Sequence, residues 1–167
     1  MVVTKAELIG LLQNEVRILV HLAGKVEPRM VEYRPTAKQR STLELLRYLT
    51  VMGPQLLKAA KAGTFDPAAW TEATKAAEAR NFDRTVEALA SQRDTYAALL
   101  HDWTDNDFWA EVEIFGNKST RGAFVINMVL SGHAAYRTQL FLYLKACGRE
   151  GLGTANLWAG VDPPAPA

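Results

Sequence analysis

The apolar residues of this chain recur at the spacing of a helix face, and no stretch alternates convincingly at period two over several residues. That pattern restricts the fold to helices that bury one side against each other. Behind Thr4-Lys5-Ala6-Glu7, the residues Leu8, Leu11, Leu12, Val16, Leu19 and Val20 form one stripe, and Gly24 is a natural stop. A first helix is therefore predicted over residues 4–23. Thr4 and Glu7 read as a capping box, in which hydroxyl and carboxylate each satisfy an amide that the helix start leaves without a partner. Ser41-Thr42-Leu43-Glu44 repeats that signal, and Leu45, Leu46, Leu49, Met52, Leu56 and Leu57 continue an apolar face past Gly53-Pro54. Pro54 is expected to kink or divide this second helix, because it lacks an N–H and its ring obstructs the preceding turn.

Asp66-Pro67 has N-cap and N1 chemistry, so a helix restarts near Ala68 and Trp70. The segment 82–103, with Phe82, Val86, Leu89, Tyr96, Leu99, Leu100 and Trp103, predicts a third main helix. Thr104 to Asp107 opens a short element around Phe108 and Trp109, and Gly116-Asn117 is a turn. Ser119 or Thr120 caps a fourth main helix that runs to Cys147, with Gly148 as its stop. Four amphipathic helices, one long crossover and short accessory helices define an all-α four-helix bundle. Residues 1–162 are expected to form one domain, and the Pro-rich residues 163–167 an extended, mobile tail. Leu157 and Trp158 need an apolar surface, so residues 154–162 are expected to be ordered, against the bundle or a second subunit.

Composition narrows the function classes. Hydrophobic residues make up 49% and charged residues 22%, as in ordinary soluble domains. With 19 basic and 18 acidic residues, the net charge is +1 and no basic stripe stands out, so no nucleic-acid partner is expected. No apolar run approaches the ~18 residues of a membrane span, so no membrane partner is expected either. Lys5 and Glu7 precede any apolar stretch, unlike a secretory leader, and a cytoplasmic location is the expectation. Cys147 is the only cysteine, which excludes an intramolecular disulfide. It lies at a helix C-terminus, where the dipole does not favour a thiolate, and is read as a packing residue.

Four fragments carry a resemblance by their shared order: Tyr33-Arg34-Pro35, Ser41-Thr42-Leu43-Glu44-Leu45-Leu46, Phe115-Gly116, and Tyr136-Arg137-Thr138-Gln139-Leu140. Together they resemble the DinB/YfiT-like family, which implies a four-helix bundle and a divalent-metal site of three histidines. Two of those histidines lie four residues apart on the last helix, and the third comes from helix two. By this resemblance the ligand positions fall at Tyr48, Gly132 and Tyr136, none of which is histidine. Glycine offers no donor atom, and a phenol titrates near ~10, too high for ready ligation. His133 lies one position away, about 100° round the helix, and its partner four residues on is Arg137, a permanent cation.

Tyr48, His133, Tyr136 and Arg137 are therefore the candidate pocket residues, with no catalytic role assigned to any. Each also has a plainer role: core tyrosines, a satisfied histidine, and Arg137 and Gln139 bonded to loop carbonyls or a neighbouring helix. His21 and His101 have no donor partner at ligand spacing. Because the three ligand positions are replaced, the expectation is a metal-free protein that binds a small molecule or acts as an accessory. The alternative is an enzyme resembling the superfamily's thiol-dependent transferases and isomerases, working without the usual ion. A divalent metal protein using zinc or nickel at His133 ranks last, so no cofactor is expected. Helix-face association into a homodimer stays open.

Overall fold

The caps set most of the helix starts in the computed structural model, which describes residues 3–164. Helix α1, Lys5–Ala23, opens with the Glu7 amide donating to Thr4 Oγ1 and the Thr4 amide donating to the Glu7 carboxylate at 2.8 Å. Leu8, Leu12, Val16, Leu19 and Leu22 turn inward, whereas Leu11 stands at the edge of the stripe and is 43% exposed. Helix α2, Thr42–Ala62, opens with the second capping box and closes at Gly63, whose left-handed φ of 76° suits glycine. Pro54 lies inside α2 and does not divide it. Five residues earlier, the buried Gln92 amide donates to the Leu49 carbonyl at 2.9 Å and ties α2 to a neighbouring helix close to the proline.

Asp66 caps α3, Pro67–Glu78, as its sequence requires. The stretch 82–103 is two shorter helices, α4 (Phe82–Ala90) and α5 (Gln92–Leu100), rather than one. Ser91 divides them: its hydroxyl donates to the Ala88 carbonyl at 2.8 Å, competing with the helical ladder. Helix α6, Asp105–Trp109, leads into a hairpin that the periodicity did not reveal. Strand β1, Glu111–Ile114, pairs antiparallel with β2, Asn117–Thr120, placing Glu111 opposite Thr120 and Ile114 opposite Asn117. Four-residue strands are too short to show alternation, yet Val112 and Ile114 do alternate into the core. Phe115 and Gly116, at φ 55° and 74°, form the tight turn between them.

Thr120 caps α7, Arg121–Phe124, and the chain continues through a π-helical turn, Val125–Leu130, into α8, Ser131–Ala146. In that wider turn the Ser131 amide reaches the Ile126 carbonyl five residues back. Helix α1 packs on α5 and α8, and α2 packs on α3, α4, α8 and the π turn, giving the all-α bundle expected, with the hairpin as an addition. Residues 155–159 form another π turn folded back on α1. Arg17 donates to the Ala159 carbonyl at 2.8 Å, and buried Asn156 donates to Asp162 at 2.9 Å. Pro163 and Pro164 are exposed, and residues 165–167 of the expected tail lie outside the described residues. Among the described residues, no helix is long and apolar enough to cross a membrane.

Candidate functional site

Helix α8 divides the four candidate residues between two environments. Tyr136 meets Tyr48 of α2 edge to face, with ring centroids 5.1 Å apart. Tyr48 also meets Trp70 of α3 at 6.2 Å, and the Arg40 guanidinium lies 3.9 Å over the Tyr48 ring. Arg40, Tyr48 and Trp70, but not Tyr136, border a cleft of about 490 Å³ between α2 and α3, which Glu44, Arg47 and Glu78 also line. Burial, and then the neighbouring Tyr136 hydroxyl, push the Tyr48 phenol up to about 12, with Arg40 opposing. The phenol is therefore a protonated hydrogen-bond group at neutral pH.

Arg40 gives this cleft its directed charge. Tyr143 of α8 donates to the Arg40 carbonyl at 3.0 Å, and Gln139 donates to the Tyr143 hydroxyl at 2.5 Å. Tyr33 braces the same tyrosine edge to face at 5.6 Å. Gln139 thus reaches a loop carbonyl through Tyr143, and that chain fixes the backbone from which the Arg40 side chain projects. Arg47 is committed elsewhere, donating through Nε to the Arg80 carbonyl at 2.9 Å. Glu44 is held by Arg34 at 3.2 Å and by the Ser41 amide at 2.7 Å. Arg40, Arg47 and Trp70 had no motif to single them out: Arg40 lies in a polar connection, just before the N-cap.

The donor set at the positions assigned by the resemblance does not fit a divalent metal. Tyr48 is held in its protonated form, and Gly132 supplies no ligand. A Cβ at Gly132 would lie 3.1 Å from Met52 Cε and 3.3 Å from Met52 Sδ, so the buried thioether occupies the space into which a side chain would grow. Among the described residues, no three His, Cys, Asp or Glu residues group as metal ligands.

His133 is turned into the core rather than the cleft. Its Nε2 lies 2.5 Å from the Tyr96 hydroxyl, which donates to Gln92 Oε1 at 3.3 Å, and Gln92 passes a proton donor on to Leu49. A run of donors in one direction requires Nε2–H on His133 and leaves its buried Nδ1 as an acceptor without a partner. Burial lowers its pKa to about 4. An unfolded histidine titrates near ~6.5, so between these values the unfolded chain binds more protons. The contribution is full above the unfolded value and is lost as pH falls through the folded one. Acidification from pH ~6.5 to ~4 is expected to remove on the order of 2–3 kcal/mol through this group. The pKa of His21 is also lowered, chiefly by burial, so it acts in the same direction. Urea unfolding of wild type and His133→Gln across that range isolates the term, and equal pH slopes would refute it.

Arg137 is equally committed. One guanidinium nitrogen contacts both Glu15 oxygens, at 2.8 and 2.9 Å, and Trp158 stacks 5.2 Å from the guanidinium carbon. The Cys147 thiol is pushed up by burial, which keeps it protonated.

No family model matches this chain, and no curated protein matches it. Among solved structures it is similar to a DinB-like protein, YjoA, from Bacillus subtilis. The TM-score is 0.63 at 16% identity, over 84% of this chain and 92% of that one. Those values establish the fold class: this is a DinB-like helical bundle.

Proposed function

We propose that the chain is a small-molecule-binding protein of DinB-like fold, whose ligand enters the α2–α3 cleft beside Tyr48. The observation that carries this reading is the cleft itself, about 490 Å³, with an aromatic wall and a guanidinium fixed at its border. That size lies within the range of small-molecule sites, and an apolar wall with a few placed polar groups is their usual make-up. The reading is metal-free, supported by a donor set that does not suit an ion. It assigns no catalytic residue, since His133 and Arg137 are bonded to Tyr96 and Glu15.

A fragment screen by ligand-detected NMR on the full chain tests it, with Thr74→Trp as the blocking variant, because Thr74 lines the cleft and is only partly buried. Hits on wild type should lose about tenfold or more in affinity on Thr74→Trp. Hits that survive the block unchanged would place binding elsewhere and end this proposal.

A further inference from the structure

The walls of the cleft also narrow what it holds. Resting on the small-molecule reading above, we infer that the ligand is a flat aromatic monocarboxylate, its ring against Tyr48 and Trp70 and its carboxylate on Arg40. Among the described residues Arg40 enters no ion pair, although Arg34, six positions earlier, does. Its guanidinium is stacked on Tyr48, so the ring covers one face and leaves the N–H edge to an acceptor. A carboxylate matches that edge with two parallel hydrogen bonds.

Charge sets the count at one. Arg40 and Arg47 face the cleft on the positive side, and Glu44 and Glu78 on the negative side. Glu44 is neutralised by Arg34 from outside the lining, which leaves an excess of one positive charge. A dianion would put its second charge towards Glu78, and a neutral ligand would leave Arg40 with water alone. The ring requirement comes from the other wall. Tyr48 and Trp70 lie edge to face, and Phe65 backs Trp70 at 5.6 Å, giving a braced aromatic surface that an aliphatic anion would not use.

Isothermal titration calorimetry on the full chain, with 2-naphthoate, 2-naphthamide and acetate as probes, tests the inference. The expected result is binding of 2-naphthoate, with the amide and acetate each weaker by about tenfold or more. Arg40→Ala should lose a similar factor for naphthoate and nothing for the amide, with Arg40→Lys in between. Arg40 is exposed and its protein bond is through the backbone carbonyl, so both variants keep the fold, as circular dichroism should show. Equal binding of naphthoate and naphthamide, or an unaffected Arg40→Ala, overturns the anion assignment while the cleft reading stands. Binding of acetate as tight as naphthoate overturns the aromatic assignment. If neither naphthalene compound binds wild type, the inference falls, and the fragment screen with Thr74→Trp decides the cleft reading separately.

Discussion

Gly53→Ala should destabilise the protein by about 3 kcal/mol or more, a large cost for one methyl group in a helix interior. By intrinsic preference alone the change would favour the helix by up to about 1 kcal/mol. The opposite sign is expected because a Cβ at this position would lie 1.8 Å from the Tyr96 hydroxyl and 2.8 Å from His133 Nε2. Neither group can retreat easily. Tyr96 and His133 are fully buried and bonded to each other, and Gln92 ties the tyrosine to the Leu49 carbonyl. Urea denaturation of the single and double variants checks the mechanism. In Gly53→Ala/Tyr96→Phe the worst overlap is gone, so the combined cost should fall short of the sum by about 1 kcal/mol or more. A Gly53→Ala protein within about 0.5 kcal/mol of wild type would mean that α2 and α5 are not held in this register.

Glu15→Ala should cost about 3–5 kcal/mol by leaving the Arg137 cation buried without its partner. The Arg137 side chain is 5% exposed, and its Nε is buried with no acceptor even in wild type. Burial raises the Glu15 pKa despite the arginine beside it, so the attraction does not fully repay the desolvation of the carboxylate. It follows that Glu15→Leu/Arg137→Met, which removes both charges and keeps apolar volume, should recover most of the loss. Thermal or urea unfolding of the three proteins decides this, and a double variant as unstable as Glu15→Ala would show that packing around Trp158 matters more than the ion pair.

The helix starts were legible because a cap is a local event. At Thr4, Ser41, Asp66 and Thr120, donor and acceptor lie three residues apart, so the sequence alone carries the whole interaction. Long-range compensation was not legible. Pro54 carries a break signal, but the Gln92 amide that ties α2 to α5 near it is 43 positions from its acceptor, Leu49. The division at Ser91 hid inside a continuous apolar pattern, and the hairpin in strands too short for a period. At the site, Tyr48 and Tyr136 were read together and do touch. The separation of His133 from them came from Tyr96, 37 residues distant, which no spacing rule on α8 could supply. Arg40 lies outside any periodic segment, and its place is revealed by long-range contacts alone, its carbonyl with Tyr143 and its guanidinium over Tyr48.

The Met52 thioether beneath Gly132 bears on any attempt to engineer a metal centre into this scaffold. Histidines at positions 48, 132 and 136 would supply the three imidazoles of the family pattern, yet the one at 132 would press on the Met52 thioether of the facing helix, 3.1 Å from its Cβ. The graft is therefore a four-position problem, in which Met52 must shift or be shortened to make room for the third imidazole. A library that varies only the ligand positions leaves the whole adjustment to Met52, whereas one that also varies position 52 relieves it.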